Sequence, residues 1–191
     1  ANMVVAGSES VGGLFGRANS STLGGPSEDD VVYNGLIPKM SSFKNQYNGH
    51  VRGRSHIGGI LGTLSGGNPT LKCFSADCTV SPSGSSSAES VGGIVGYVCG
   101  SQNSITECVF KGILNSNGGQ YAGGIIGLVD YDGYNDVGTV QDCINFGEIT
   151  GGQATGGIIG RMKVRSGTYV NYCVTAYRTT HGGVIGTGNV G

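Results

Sequence analysis

The hexapeptide VGGIVG at Val91–Gly96 recurs with small changes at five other places in the chain. The other copies are VGGLFG at Val11–Gly16, IGGILG at Ile57–Gly62, AGGIIG at Ala122–Gly127, TGGIIG at Thr155–Gly160 and HGGVIG at His181–Gly186. The first glycines of successive copies are 26 to 46 residues apart. Self-similarity at this spacing is typical of repeat proteins, in which neighbouring units share one core and loops absorb the differences in length.

A second phrase lies between the glycine phrases and contains an apolar residue followed by a cysteine and another apolar residue. It reads LKCF at Leu71–Phe74, ITECVFKG at Ile105–Gly112, VQDCINFG at Val140–Gly147 and VNYCV at Val170–Val174, with Gln46 in place of the cysteine in an earlier unit. We therefore predict that Cys73, Cys108, Cys143 and Cys173 form one column. A third stretch that favours β-structure follows several of these phrases, which predicts three short strands per repeat.

The residue types in these phrases predict strands. Isoleucine, valine, threonine and tyrosine fill the apolar runs, glycine or serine bounds them, and no stretch keeps helical spacing. The 39 glycines among 191 residues follow no Gly-X-Y period, which excludes collagen. We predict an all-β fold, a parallel β-helix or β-solenoid of about five to six coils.

One domain accounts for residues 1–191, which we expect to be an excerpt of a longer solenoid with a long loop insertion at residues 18–40.

Side-chain alternation from the glycine phrases predicts an inward column, namely Leu14, Ile60, Ile94, Ile125, Ile158 and Val184. The residues that follow them should face outward, yet they too are apolar: Phe15, Leu61, Val95, Ile126, Ile159 and Ile185. A bend at the glycines, a covering loop or a contact stripe for a partner would each explain this second column. The glycine pairs themselves are expected to supply positive φ and close backbone approach.

The glycine phrase followed by the cysteine phrase resembles the GLUG repeat, and the match spans nearly the whole chain. That family occurs in bacterial and protist surface or adhesin-like proteins and in the non-catalytic part of some immunoglobulin A peptidases. The resemblance implies a cell-surface repeat and no peptidase activity, since the chain has no HExxH zinc motif.

Composition restricts the partners and the functions. A net charge of -1 with 12% charged residues offers no bulk attraction for nucleic acid or acidic membranes, and no apolar run reaches membrane-spanning length. We expect an extracellular or cell-surface, non-enzymatic stalk, spacer or adhesive module without a required cofactor. Its expected partners are flanking coils of the same polypeptide or identical subunits end to end, and glycans or a host surface. The alternatives are a filament subunit that stacks head to tail and a glycan-binding or polysaccharide-active domain.

A calcium site is one candidate for local chemistry. The segment DYDGYND places Asp130, Asp132, Asn135 and Asp136 around a glycine, and such hard oxygen ligands suit calcium. An ordinary polar turn explains the same residues, and Tyr131 and Tyr134 with the nearby Tyr121 would alternatively offer faces for a sugar ring.

A basic ladder is the second candidate. His50, Arg52, Arg54 and His56 alternate in HVRGRSH, so on one strand they would share a face and could bind sulfated or carboxylated glycans. A solvated face that discourages sheet aggregation is the alternative.

Two covalent features complete the candidates. Cys78 and Cys99 lie outside the predicted cysteine column and in adjoining coils, which makes them the most plausible disulfide pair. Asn19 begins the only usable glycosylation sequon, Asn19-Ser20-Ser21.

Overall fold

A computed structural model describes residues 3–20, 22–24, 45–84, 88–131, 138–164, 168–176 and 184–190. These residues form 24 strands, numbered β1 to β24 in chain order, and every pairing between them is parallel. No helix occurs in the described part, and hence none that could cross a membrane. The chain is therefore all-β with parallel sheets, as the apolar runs predict.

The strands belong to four sheets, which we call A to D. Sheet A contains β1 (Met3–Ala6), β5 (Asn45–Gly53), β9 (Phe74–Pro82), β13 (Val109–Phe110), β14 (Ile113–Asn115), β18 (Ile144–Asn145), β19 (Glu148–Thr150) and β23 (Val174–Thr175). Sheet B contains β2 (Glu9–Gly12), β6 (Ser55–Gly58), β10 (Ser90–Gly92), β15 (Tyr121–Gly123) and β20 (Ala154–Gly156). Sheet C contains β3 (Phe15–Asn19), β7 (Leu61–Ser65), β11 (Val95–Cys99), β16 (Ile126–Asp130), β21 (Ile159–Val164) and β24 (Ile185–Val190). Sheet D contains β4 (Thr22–Gly24), β8 (Thr70–Lys72), β12 (Ser104–Thr106), β17 (Thr139–Gln141) and β22 (Tyr169–Asn171).

Each of the first five repeats contributes strands to all four sheets, and not three strands as the sequence predicts, and the last described repeat contributes β23 to sheet A and β24 to sheet C. Strands β2 and β3 show why, because one glycine phrase ends a sheet B strand and begins a sheet C strand. The predicted insertion at residues 18–40 also differs from the structure at its start. Residues 18 and 19 finish β3, and β4 pairs with β8, while residues 25–40 lie outside the described part.

The register follows the glycine phrases. In sheet B, Ile57 pairs with Val91, which pairs in turn with Ala122 of the next repeat. In sheet C the corresponding pairs continue from Leu61 to Val95. Successive glycine phrases therefore lie directly beside one another.

A bend inside the glycine phrase buries both apolar residues of the pair in the middle repeats. Strand β6 ends at Gly58 and β7 begins at Leu61, so Ile60 lies in the bend between the two sheets. The N–H groups of Ile60 and Leu61 both donate to the carbonyl oxygen of Ile94, each at 3.0 Å. Two successive donors on one acceptor interrupt the alternation of the strand, as a β-bulge does. The bend at the glycines thus explains the second apolar column.

The core is a continuous apolar cluster through the middle repeats. Ile60, Ile94, Ile125 and Ile158 each have 0% exposure, and so do the residues that follow them, Leu61, Val95, Ile126 and Ile159. At the two ends of this column Leu14 and Val184 are each 41% exposed. The difference arises because a terminal residue is covered by a neighbouring repeat on one side only.

The glycine pairs are needed for space, not for positive φ. None of the phrase glycines in the described part has φ in the left-handed region, which corrects that part of the expectation. A Cβ on Gly93 would lie 2.1 Å from the Gly124 carbonyl oxygen and 2.4 Å from Cγ of Phe110. The second glycine of the phrase therefore makes room for a neighbouring backbone and for a ring from sheet A.

Candidate functional site

A polar groove lies on the outer face of sheet A. It has a volume of about 510 Å³ and is formed by residues 48–50, 77–79 and 111–113, which come from three successive repeats. Strands β5 and β9 supply the first two segments in register, with Asn48 opposite Asp77. The third segment joins β13 to β14, where the strand of that repeat is interrupted. The groove therefore runs across the strands, in the direction in which the repeats follow one another.

Side-chain alternation on β9 separates the walls of the groove from its floor. Ala76, Cys78 and Val80 are buried in the core, while Asp77 and Thr79 between them reach the surface. The neighbouring repeats follow the same pattern. One wall therefore carries Asn48, Asp77 and Lys111, the other carries His50, Thr79 and Ile113, and the floor consists of Gly49, Cys78 and Gly112.

The two floor glycines pack directly against neighbouring backbone, so a side chain at either position would collide with it. A Cβ on Gly112 would lie 1.9 Å from the carbonyl oxygen of Cys78, and one on Gly49 would lie 2.2 Å from that of Met3. The Cys78 thiol is directed into the core, near the backbone of Gly59. Burial, assisted by the Asp77 carboxylate, raises the pKa of Cys78 to about 12, so this thiol stays protonated and unreactive.

The wall side chains offer unused polar groups. Within the described residues, Asn48, Asp77, Thr79 and Lys111 have no side-chain hydrogen bond or ion pair to another residue. The Nδ1 atom of His50 is buried and has no hydrogen-bond partner there. A groove with an amide, a carboxylate, a hydroxyl and an ammonium group can recognise a ligand rich in hydroxyl groups and charge.

The predicted basic ladder does not lie on one strand. His50 and Arg52 belong to β5 in sheet A, whereas His56 belongs to β6 in sheet B, with Arg54 between the two strands. The chain changes from sheet A to sheet B within this segment, so the four side chains do not share one face. Of the four residues only His50 lines the groove. Anionic-glycan binding by the ladder stays a prediction.

His56 is held by neighbours in the next repeat. Its ring stacks on Tyr97 with centroids 4.5 Å apart and planes 18° from parallel. Its Nδ1 atom shares a hydrogen bond of 2.9 Å with Ser90 Oγ, and Nε2 lies 3.9 Å from Glu89 Oε2. Burial lowers the pKa of His56 below its ordinary value of 6.5, against a smaller opposing effect of the Glu89 and Glu9 carboxylates.

The lowered pKa of His56 predicts loss of stability in mild acid. Below pH 6.5 this histidine takes up a proton in the unfolded chain, whereas burial keeps the folded ring neutral. The contribution of the neutral ring to the stability of the fold is therefore lost as pH falls from 6.5 toward the folded pKa. We expect the melting temperature to drop from about pH 7 to about pH 5 more steeply in the native protein than in His56→Gln. Equal drops in the two proteins would contradict this assignment.

The calcium candidate is described only at its first residue. Asp132, Asn135 and Asp136 lie outside the described residues. Asp130 ends β16 and forms an ion pair with Lys163 of β21, with Oδ1 and Nζ 3.0 Å apart. Over the described ranges no group of three His, Cys, Asp or Glu side chains is placed to hold a metal ion. Calcium binding therefore stays a prediction. To bind the metal, Asp130 would have to give up its ion pair with Lys163.

The tyrosines proposed as sugar platforms are engaged inside the protein. Tyr131 is buried, and a Cβ on Gly138 would collide with its ring. Tyr121 accepts a hydrogen bond from Arg161, whose guanidinium carbon lies 5.0 Å from the ring centroid. Burial therefore removes Tyr131 as a platform, and Arg161 occupies one face of Tyr121. Tyr134 lies outside the described residues.

The cysteine column contains three residues and not four. Lys72 pairs with Thr106 and Ser75 with Val109, so Phe74, and not Cys73, lies beside Cys108. By the same register Gln46 pairs with Ser75 and lies one position after the column. Cys73 instead occupies the left-handed corner, with φ of 59°, where the next repeat has Glu107 with φ of 55°. The sequence signal for this shift is that LKCF has one residue fewer between its first apolar residue and its cysteine than ITECVFKG has.

All six cysteines are free thiols, including the proposed pair. Cys78 lies on β9 in sheet A and Cys99 on β11 in sheet C, so the predicted disulfide is not formed in the structure. Burial raises the pKa of the Cys143 thiol in the column, and the contact with Cys143 raises that of Cys173. These thiols behave as small apolar core residues.

Asn19 is exposed at the end of β3. Ser20 donates a hydrogen bond of 3.4 Å to its Oδ1. Ser21, the third residue of the sequon, lies outside the described residues. Glycosylation stays a prediction.

Sequence reasoning missed most of the groove. Asn48, Asp77, Thr79 and Lys111 share no repeated residue type, and only the strand register brings them together. Gly112, which ends the phrase ITECVFKG, was the available signal, because it forms part of the floor.

Comparison with known proteins gives no match to a family model, to a curated protein or to a solved structure. The resemblance to the GLUG repeat therefore stays a prediction that rests on the quoted phrases. The function must be argued from the stacked strands and the groove.

Proposed function

We propose that the chain is a β-solenoid module of about five to six coils that serves as an extracellular stalk, spacer or adhesive repeat. The observation that carries this proposal is the in-register parallel pairing of equivalent strands from repeat to repeat in all four sheets. Each added repeat then contributes one strand spacing, about 4.8 Å, without changing the cross-section. A fold that grows in this way suits a spacer of adjustable length.

The partners proposed for this module are further coils of the same polypeptide or identical subunits end to end. Val4 on β1 is 59% exposed, and Leu14 and Val184 are open at opposite ends of the core column. A neighbouring coil would cover these apolar side chains and pair the outer strands. A filament subunit that stacks head to tail is the alternative with the same contacts.

The adhesive and cell-surface parts of the proposal have separate support. The resemblance to the GLUG repeat favours a surface protein without enzymatic activity. The polar groove favours a binding role, and with it the alternative of a glycan-binding domain. Polysaccharide cleavage is a weaker alternative, since it would need a pair of catalytic carboxylates placed on either side of one bond.

A repeat-insertion experiment tests the spacer function. Val91 pairs with Ala122 and Gly92 with Gly123, so residues 92–122 are one complete repeat in phase. We expect insertion of two further copies after Ala122 to leave cooperative unfolding intact and to lengthen the particle by about 10 Å in small-angle X-ray scattering. Insertion of residues 92–106 alone, out of phase, is the control and should add no such length.

The same measurement separates the alternatives. A folded protein whose length does not change with the in-phase insertion would contradict the solenoid. Molecular mass measured by light scattering distinguishes a single stalk from a filament, because end-to-end stacking gives multiples of the monomer that grow with concentration.

A further inference from the structure

We propose that the groove on sheet A binds an extended acidic oligosaccharide, of the class that carries carboxylates on its sugar rings. The inference goes beyond the spacer role, because the repeats would stack in the same way with any polar residues on these walls. It also differs from the basic ladder, of which only His50 lines the groove.

The shape of the groove selects an extended ligand. It crosses three repeats, and each repeat contributes one residue to each wall and one to the floor. Neighbouring strands are about 4.8 Å apart, so similar positions recur along the groove at a nearly constant spacing. A polymer of similar units lying along the stacking direction would meet one set of wall residues after another. A compact ligand would occupy only part of this length.

The floor selects a ligand that approaches the backbone closely. Gly49 and Gly112 present no side chain, and the Cys78 side chain is turned into the core. The space between the two walls is therefore free of floor side chains. A flat sugar ring could lie between the walls with its edge toward this floor.

The wall chemistry suits hydroxyl groups together with a carboxylate. Asn48, Asp77 and Thr79 supply donors and acceptors for sugar hydroxyls, and the exposed Ile113 offers an apolar surface for the C–H face of a ring. Lys111 supplies an ammonium group that has no ion pair within the described residues. An ammonium in a groove forms charge-assisted hydrogen bonds with a carboxylate, which selects acidic over neutral sugars.

Titration calorimetry with trigalacturonate, and with cellotriose as the neutral probe, tests this inference. We expect trigalacturonate to bind and cellotriose to bind at least about tenfold more weakly, with the difference decreasing as salt is added. Equal binding of the two probes would overturn recognition of the carboxylate. No binding of either probe would overturn the groove as a sugar site.

Matched variants locate the binding. Lys111→Met keeps the length of the side chain and should weaken trigalacturonate binding about tenfold, whereas Asp77→Asn should strengthen it by removing a like charge. Arg54→Met, an exposed cation outside the groove, is the control and should leave binding unchanged. A loss in Arg54→Met as large as in Lys111→Met would move the site to the basic ladder and overturn the assignment. Unchanged melting temperatures in the three variants would show that the spacer fold is intact, so failure of sugar binding is distinguishable from failure of the solenoid.

Discussion

Replacing Ile125 with alanine is expected to lower the free energy of unfolding by about 2 to 5 kcal/mol. Ile125 has no exposed surface, and its N–H donates to the Ile158 carbonyl oxygen at 2.9 Å, which fixes it in the bend between β15 and β16. The repeats on both sides hold their own buried isoleucines at the same position, so the cavity cannot be filled by a local collapse. Urea denaturation monitored by circular dichroism would measure the loss.

Leu14→Ala is the matched control for Ile125→Ala. Leu14 occupies the same position of the glycine phrase but is 41% exposed, so less apolar surface returns to water on truncation. We expect a loss of about 1 kcal/mol or less. Equal losses at the two positions would show that the middle of the column is no better packed than its end, and would contradict the continuous core.

Gly93→Ala is expected to be strongly destabilising. Its Cβ would lie 2.1 Å from the Gly124 carbonyl oxygen, which belongs to the backbone of the next repeat, and 2.4 Å from Cγ of Phe110. A ring can turn aside, but the backbone cannot move without breaking the register of sheets B and C. Overpacking costs about 1–3 kcal/mol and occasionally more, and we expect a value at or above the top of that range. The melting temperature and the yield of folded protein would measure it.

Gly67→Ala tests the same substitution where space is open. The nearest atom to a Cβ on Gly67 is Ser101 Oγ at 3.9 Å, and its φ lies outside the left-handed region. Alanine should therefore be neutral or slightly stabilising, because it reduces the freedom of the unfolded chain. A large loss at Gly67, or none at Gly93, would refute the assignment of the phrase glycines to close packing.

Much of the fold follows from the sequence alone. The spacing of six glycine phrases predicts stacked parallel strands, and β-branched residues with glycine boundaries exclude helices. The same phrases identify Ile60, Ile94, Ile125 and Ile158 as one column, because equivalent positions of repeats meet when repeats stack in register. These features are local patterns that repeat, and repetition makes them visible without coordinates.

The tertiary structure decided where the pattern bends. The sequence leaves a bend, a covering loop and a partner stripe as explanations for the apolar side chains at Leu61 and its equivalents. The paired hydrogen bonds to the Ile94 carbonyl oxygen show that a bend turns two successive residues inward. The sequence likewise places Cys73 with the other column cysteines, whereas the pairing of Lys72 with Thr106 shifts it by one position. Side chains alternate between the two faces only within a strand. At each bend between two sheets, the face on which a residue lies can no longer be counted from the preceding strand.

The groove was decided by the tertiary structure as well. Residues Asp77 and Lys111 are 34 positions apart and share no motif, and they become neighbours only through the register of β9 with the next repeat. The basic ladder shows the converse, since Arg52 and His56 are close in sequence but belong to different sheets. By itself the sequence determined that this chain stacks repeats around an isoleucine core, because core positions are periodic. Which residues are neighbours on the outer surface was decided only by the fold. Surface residues are not constrained to repeat, and the strand register alone brings them together.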